Sequence, residues 1–212
     1  MRQKNAKFLL LAVMIVPLLL ISCKQQDPID QQVEALLKKM TLEEKVGQMT
    51  QITLDAIGNG DSVYHSRIPF DFDSVRLHNA LLKYHVGSIL NTTNNYAMKP
   101  QQWYKIIAKI QDVAIKKSRL GIPVLYGVDA IHGTTYTDGA VMFPHQITLA
   151  ATFNPVHAYN MASVTAYETR ASGIPWNFSP VLDLGADPRY SRQLETFGED
   201  PYLISVMGVQ MI

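Results

Sequence analysis

Gly121–Gly133 (GIPVLYGVDAIHG) passes from a turn, through an apolar run, into a charged loop within a few residues. Gly173–Pro201 (GIPWNFSPVLDLGADPRYSRQLETFGEDP) repeats the design: Gly-Ile-Pro, an apolar run, then a loop crowded with Asp, Arg and Glu. A buried strand that delivers charged groups at its C-terminal end is how a (β/α) barrel builds a polar site. Two such strands in one chain predict a shared rim of charge, suited to a polar, hydroxyl-rich ligand.

Working outward, the elements alternate. Val33, Leu36, Leu37 and Met40 keep helical spacing, and Thr41-Leu42-Glu43-Glu44 has the pattern of a capping box. A helix starting there would carry Val46 and Met49 inward, unless Gly47–Ile52 turns into a strand. Ile57–Asp71 is rich in Gly, Ser and Asp and reads as a loop. Val75–Tyr84 reads as a helix feeding a short strand, His85–Leu90, and a polar loop, Asn91–Asn95. Pro100–Lys117 is the clearest helix, with Trp103, Ile106, Ile107, Ile110 and Ile115 at near-helical spacing. Pro123–Val128 is the next strand. A helix over Asn154–Ser172 would be capped by Asn154 with Pro155 first, and Gly173 would end it. Trp176–Leu184 is a further strand, and Asp200–Ile212 begins another helix. Strand, helix, strand, helix, strand implies parallel strands with crossover helices. The fold class is therefore α/β, the N-terminal half of a (β/α)8 TIM-like barrel. Its roughly four strands, where closure needs eight, lead us to expect a fragment of a longer protein.

Composition narrows the function. The 212 residues are 47% hydrophobic and 17% charged with a net charge of +1, enough apolar matter for a sizeable core. There is no basic block in the body of the chain, which argues against nucleic acid as a partner. At the N-terminus, Arg2, Lys4 and Lys7 precede the apolar run Phe8–Ile21, which is short for a membrane span. The run ends in Leu20-Ile21-Ser22-Cys23, and Cys23 is the only cysteine. This resembles the lipobox of a bacterial lipoprotein, the other reading being an ordinary secretory signal with an incidental cysteine. The expected organisation is a signal peptide over 1–22, a lipidated Cys23 with a tether over 23–32, and the barrel domain over 33–212. Lipidation of Cys23 would place the protein at a membrane, in the periplasm or at the outer membrane. With one thiol the chain forms no internal disulfide.

Five elements in register, KMTLEEKVGQM, GIPVLYGVDAIHG, MFPHQITLAATFNP, AYETRASGIPWNFSPVLDLGADPR and ETFGEDPYL, together resemble the N-terminal barrel domain of glycoside hydrolase family 3, in its β-glucosidase branch. The resemblance covers about Val33–Ile212. It implies a retaining, exo-acting β-glucosidase that removes terminal non-reducing β-D-glucosyl residues from oligosaccharides without metal or organic cofactor. It also implies that a nucleophilic Asp, a Lys-His pair and an acid/base Glu lie beyond Ile212, in the rest of the barrel and a second domain. No catalytic residue is then expected in these 212 residues, and the chain alone is expected to be inactive. The alternatives are a β-xylosidase of the same family and a non-catalytic sugar-binding lipoprotein.

From the residues alone, Asp129 is either a cap of the turn after its strand or a carboxylate that accepts from vicinal sugar hydroxyls. The resemblance assigns it the second role. His132 reads first as a loop histidine bonded to backbone, and is kept among the candidates. Arg189 and Arg192 are either surface arginines, free or paired with Glu195, Glu199 or Asp200, or donors to sugar oxygens. The family pattern, Asp-Pro-Arg-Trp-Gly-Arg, points to Arg192 as the contact and to Arg189 as structural. Here Tyr190 and Ser191 replace the Trp and Gly, which loosens the expected placement of Arg192. Glu195 would orient the basic groups. Asp183 is read equally as a sugar contact or as a loop-stabilising acid. Glu168 and Arg170 would pair with neighbouring elements, and Trp176 would be core.

Overall fold

A computed structural model describes residues 27–62 and 65–212. Cys23, the run Phe8–Ile21 and residues 24–26 of the expected tether lie outside the described residues. The chain divides into two units, Met1–Thr41 and Leu42–Ile212. In the first, helix α1 spans Pro28–Leu37, so the tether expected to run to Gln32 gives way at Pro28. The cause is local. Asp27 accepts the Ile29 amide at 2.8 Å as an N-cap, and Pro28 supplies a preset φ at the first helical position. None of its residues is buried.

The second unit opens with helix α2, Leu42–Gln48. Its buried residues are Glu44 and Gly47, whereas Val46 and Met49, expected inside, are 57% and 88% exposed. Two contacts override the apolar periodicity. Glu44 is drawn in by Arg119, which bonds it through Nε at 2.9 Å and through a terminal nitrogen. A Cβ on Gly47 would lie 2.2 Å from the Tyr84 carbonyl oxygen, so only glycine allows that approach.

Strand β1 (Gln51–Thr53) follows, then a 3₁₀ turn over Leu54–Ile57. The stretch expected to be loop over Ile57–Asp71 instead holds an antiparallel pair, β2 (Gly60–Ser62) and β3 (His65–Ser66). The Asn59 side chain pins its base by donating to Asp71 Oδ2 and to the Phe72 carbonyl, both at 3.0 Å. Helix α3 (Ser74–His78), capped by Asp73, continues as a π turn over Asn79–Lys83 and leads to β4 (Ser88–Leu90). Helix α4 is Pro100–Lys117 and β5 is Leu125–Val128. Two helices, α5 (Gln146–Ala150) and α6 (Pro155–Ala171), precede β6 (Trp176–Asn177), and α7 spans Pro201–Val209. Asn154 caps α6 by accepting the Val156 amide at 3.1 Å, and Gly173 follows it at φ +82°.

Strands β1, β4, β5 and β6 form one parallel sheet in that order. Register places Ile52, Ile89 and Tyr126 abreast. With Val128 they pack against Trp103, Ile106, Ile110 and Val113 of α4 in the larger core. Ile115 is 48% exposed, contrary to expectation. It lies twelve positions after Trp103, about 120° around a 3.6-residue helix, and so off the buried face. A second core joins Leu149, Ala158, Met161, Phe197, Ile204 and Met207.

The strand expected over Trp176–Leu184 keeps only two residues in the ladder. Pro180 has no N–H to give, and farther on the buried Gln146 takes the place of a strand neighbour. Its side chain accepts from the Val181 amide at 3.1 Å and donates to the Val181 carbonyl at 2.9 Å. Trp176 is 37% exposed rather than core, because register sets it beside Gly127, on the face away from α4.

Candidate functional site

The polar residues gather where the parallel strands end. The residue after β4 is Asn91, the residue after β5 is Asp129, and β6 ends on Asn177. Asn91 has φ +58°, a left-handed conformation that asparagine tolerates better than most side chains. Its Nδ2 donates to Asp129 Oδ2 at 2.7 Å, and its Oδ1 accepts the Asp129 amide at 2.9 Å. Asn177 makes a similar double contact with Ala130, accepting its amide at 3.1 Å and donating to its carbonyl at 3.3 Å. The Asp129 carboxylate is thus held at a strand end and is only half-buried.

The loop after β6 supplies the positive charge. Arg192 donates from Nε to Glu195 Oε2 at 2.7 Å, with a second nitrogen 2.5 Å from the same oxygen. The Glu195 side chain is 17% exposed and that of Arg192 55%, so the carboxylate sits behind and the guanidinium faces out. The hydrogen bond to Glu195 is the main reason the Arg192 pKa is raised, and the negative charge of Asp129 adds to it. Tyr136 lies in the field of both acids. Burial chiefly, then Asp129 and Glu195, raise its phenol pKa. Asp129, Arg192, Glu195 and Tyr136 therefore form one electrostatic neighbourhood.

His132 borders it. Its Nδ1 lies 3.0 Å from the Phe143 carbonyl, and its ring lies against that of His145, tilted by 42° with centroids 4.1 Å apart. His145 Nδ1 is buried without a hydrogen-bond partner. Burial, and then the nearby His132, lower the His145 pKa below 6.5, with Glu195 opposing. The unfolded chain then takes up the proton first as pH falls. The stability this provides is complete above about pH 6.5 and declines as pH drops through 6.5 toward the lower folded value. His145→Gln should therefore lose less stability than the wild type between about pH 7.5 and 5.5, read as urea midpoints. Equal declines in the two proteins would show that His145 carries no such linkage.

The remaining candidates are not gathered in. Arg189 closes on Asp187, donating from Nε to Oδ1 at 2.9 Å and from a terminal nitrogen to Oδ2 at 2.6 Å, on an exposed turn. Asp183 is exposed on the segment after β6. Glu168 accepts the Val141 amide at 3.0 Å and serves the loop before α5. Among the described residues no group of three or more His, Cys, Asp or Glu is placed to hold a metal ion. Asn91, Tyr136 and His145 are not among the site residues expected from the sequence. Asn91 alone carried a usable signal, as the first residue after a strand that ends in a polar loop.

Comparison with known proteins shows the family. Residues 41–212 match the profile of the glycosyl hydrolase family 3 N terminal domain. The chain is 37% identical over 187 residues to a lysosomal beta glucosidase of Dictyostelium discoideum, covering 85% of this chain and 22% of that protein. It is 32% identical over 177 residues to a periplasmic beta-glucosidase of Salmonella typhimurium, covering 84% of this chain and 20% of that one. The crystal structure of an exo-1,3/1,4-beta-glucanase from a Pseudoalteromonas species superposes with a TM-score of 0.70 at 30% identity, over 89% of this chain and 22% of that one. The chain thus spans about a fifth of the length of these relatives. Its parallel α/β sheet covers part of a TIM-barrel-like domain, and the chain belongs to glycosyl hydrolase family 3.

Proposed function

We propose that this chain supplies part of the sugar-binding subsite of a retaining, exo-acting β-glucosidase that hydrolyses terminal non-reducing β-D-glucosyl residues of oligosaccharides. The observation that carries the reading is a carboxylate clamped by Asn91 at a strand end, within the electrostatic reach of a guanidinium clamped by Glu195. Asp129 accepts from vicinal hydroxyls of the terminal sugar, and Arg192 donates to a sugar oxygen. Beta-glucosidases among the relatives support the substrate class.

Retaining hydrolysis needs two carboxyl groups about 5–5.5 Å apart, one attacking and one protonating the leaving group. Asp129 and Glu195 are engaged in holding and orienting, and Asp183 lies outside their cluster. The nucleophile and the acid/base are assigned in this reading to sequence beyond Ile212, and no cofactor takes part. Export and lipidation at Cys23, with residence in the periplasm or at the outer membrane, complete the proposal. The lipobox-like sequence and the periplasmic relative support it.

A second reading, a β-xylosidase, is favoured by the 34% identity over 188 residues to a putative beta-xylosidase of Formosa agariphila. Steady-state kinetics of the full-length protein on aryl β-glucoside, β-xyloside and β-N-acetylglucosaminide discriminate. We expect kcat/KM to be at least about tenfold higher on the glucoside, the discrimination that one extra substrate group in a fitted pocket provides. A preference for the xyloside establishes the second reading. Sugar binding without turnover of any substrate establishes a non-catalytic binder. Turnover by the 212-residue chain alone would overturn the assignment of the catalytic pair.

A further inference from the structure

We propose that Asn91 is a positioning residue that sets the orientation of the Asp129 carboxylate for sugar binding. The inference rests on the reading of Asp129 as a sugar ligand. An aspartate at a strand end can rotate about two side-chain bonds, whereas accepting from two adjacent hydroxyls demands one orientation. The Asn91 amide removes that freedom by closing on Asp129 twice, its Oδ1 on the backbone amide at 2.9 Å and its Nδ2 on Oδ2 at 2.7 Å. Chemistry decides which way this amide points. A backbone N–H can only donate and a carboxylate can only accept, so oxygen must face the first and nitrogen the second. One lone pair of Oδ2 is thereby taken, leaving Oδ1 and the other side of Oδ2 for the ligand.

Asn91 is itself anchored. Its amide donates to the Gly127 carbonyl at 2.9 Å, and its own carbonyl accepts the Tyr126 hydroxyl at 2.6 Å. Tyr126 is fully buried and packs edge-on against Trp103, with centroids 5.7 Å apart. The orientation of Asp129 is therefore tied to the core behind the sheet. The left-handed backbone at Asn91 narrows the choice of residue further. Glycine would suit the backbone but offers no amide. Aspartate would supply the acceptor, but it has no donor and would set a second carboxylate against Asp129.

Asn91→Gly in the full-length protein keeps the backbone conformation and removes only the clamp. On an aryl β-glucoside we expect kcat/KM to fall about 10–30-fold, roughly the effect of one charge-assisted hydrogen bond. The same variant is assayed on deoxy glucosides, and the decisive one is the dideoxy analogue lacking both hydroxyls that Asp129 accepts, on which Asp129→Ala has no further effect. There Asn91→Gly should change kcat/KM by less than about twofold. Equal losses on both sugars would mean a merely structural residue and overturn the inference. Asn91→Asp gives a second readout. Two facing carboxylates, beside Arg192, Glu195 and Tyr136, retain a proton to higher pH, so the acid limb of the kcat/KM profile should move upward by about one unit. An unmoved limb would count against the proposal. A full loss in Asp129→Ala with Asn91→Gly unchanged overturns the role of Asn91 alone. A loss below fivefold in Asp129→Ala overturns the underlying reading and this inference together.

Discussion

Asp129→Ala in the full-length protein is expected to lower kcat/KM on an aryl β-glucoside by about two to three and a half orders of magnitude. The carboxylate lies at the end of β5, half-buried and held by Asn91, and on the proposed reading it accepts about two hydrogen bonds from a sugar. Charge-assisted hydrogen bonds contribute about 1.5–3 kcal/mol each, so losing two removes roughly 3–5 kcal/mol of transition-state binding. Each 1.4 kcal/mol is about a factor of ten. Asp129→Asn keeps the volume and one acceptor but gives up the charge, and an intermediate loss of about 10–50-fold is expected on the same scale. A change below about fivefold for Asp129→Ala would show that this residue caps its turn and touches no substrate. The null result is informative because the alternative role predicts lost stability with binding intact.

Trp103→Ala should produce the largest loss of folding stability, about 3–5 kcal/mol, the range for deleting a large buried aromatic. Trp103 is completely buried on α4, packs edge-on against Tyr126, and donates from Nε1 to the Tyr136 carbonyl at 3.0 Å. Its removal opens a cavity between helix and sheet and unsupports the ring whose hydroxyl holds Asn91. Trp103→Phe keeps most of the packing, and the Tyr136 carbonyl still accepts the Met98 amide. Its effect should be smaller, about 1–2 kcal/mol, from one hydrogen bond and some lost volume. Equilibrium urea unfolding of the three proteins tests both values. A loss under about 1 kcal/mol for Trp103→Ala would mean that the contact between α4 and the sheet is not a main source of stability.

Much of this was legible in the residues. The helix over Pro100–Lys117 declared itself because a one-sided apolar face and a proline at its start agree. The helix Pro155–Ala171 declared itself through its Asn-Pro start and the glycine after its end. Parallel strands followed from the alternation of elements, since crossovers of that length bring strands back in the same direction. The failures share a cause. Val46 and Met49 stay outside because Glu44 is drawn in by a partner 75 positions away, and no local period contains that information. The strand after Trp176 is short because a glutamine from α5 satisfies Val181 in place of a neighbouring strand.

The same division runs through the site. Sequence alone determined that charged residues would follow apolar strands, and so that Asp129 and the Asp187–Glu195 loop would stand near one end of a parallel sheet. Strand direction and the two-residue side-chain period are local properties, which makes that much readable. Only the tertiary structure decided how the charges are distributed: the Arg192–Glu195 pair within the electrostatic reach of Asp129, and Arg189 turned onto Asp187. It also decided that an unremarked asparagine would hold the carboxylate. A hydrogen bond between residues 38 positions apart depends on the register of β4 against β5, and register is set by the packing of Ile89 and Tyr126 against α4.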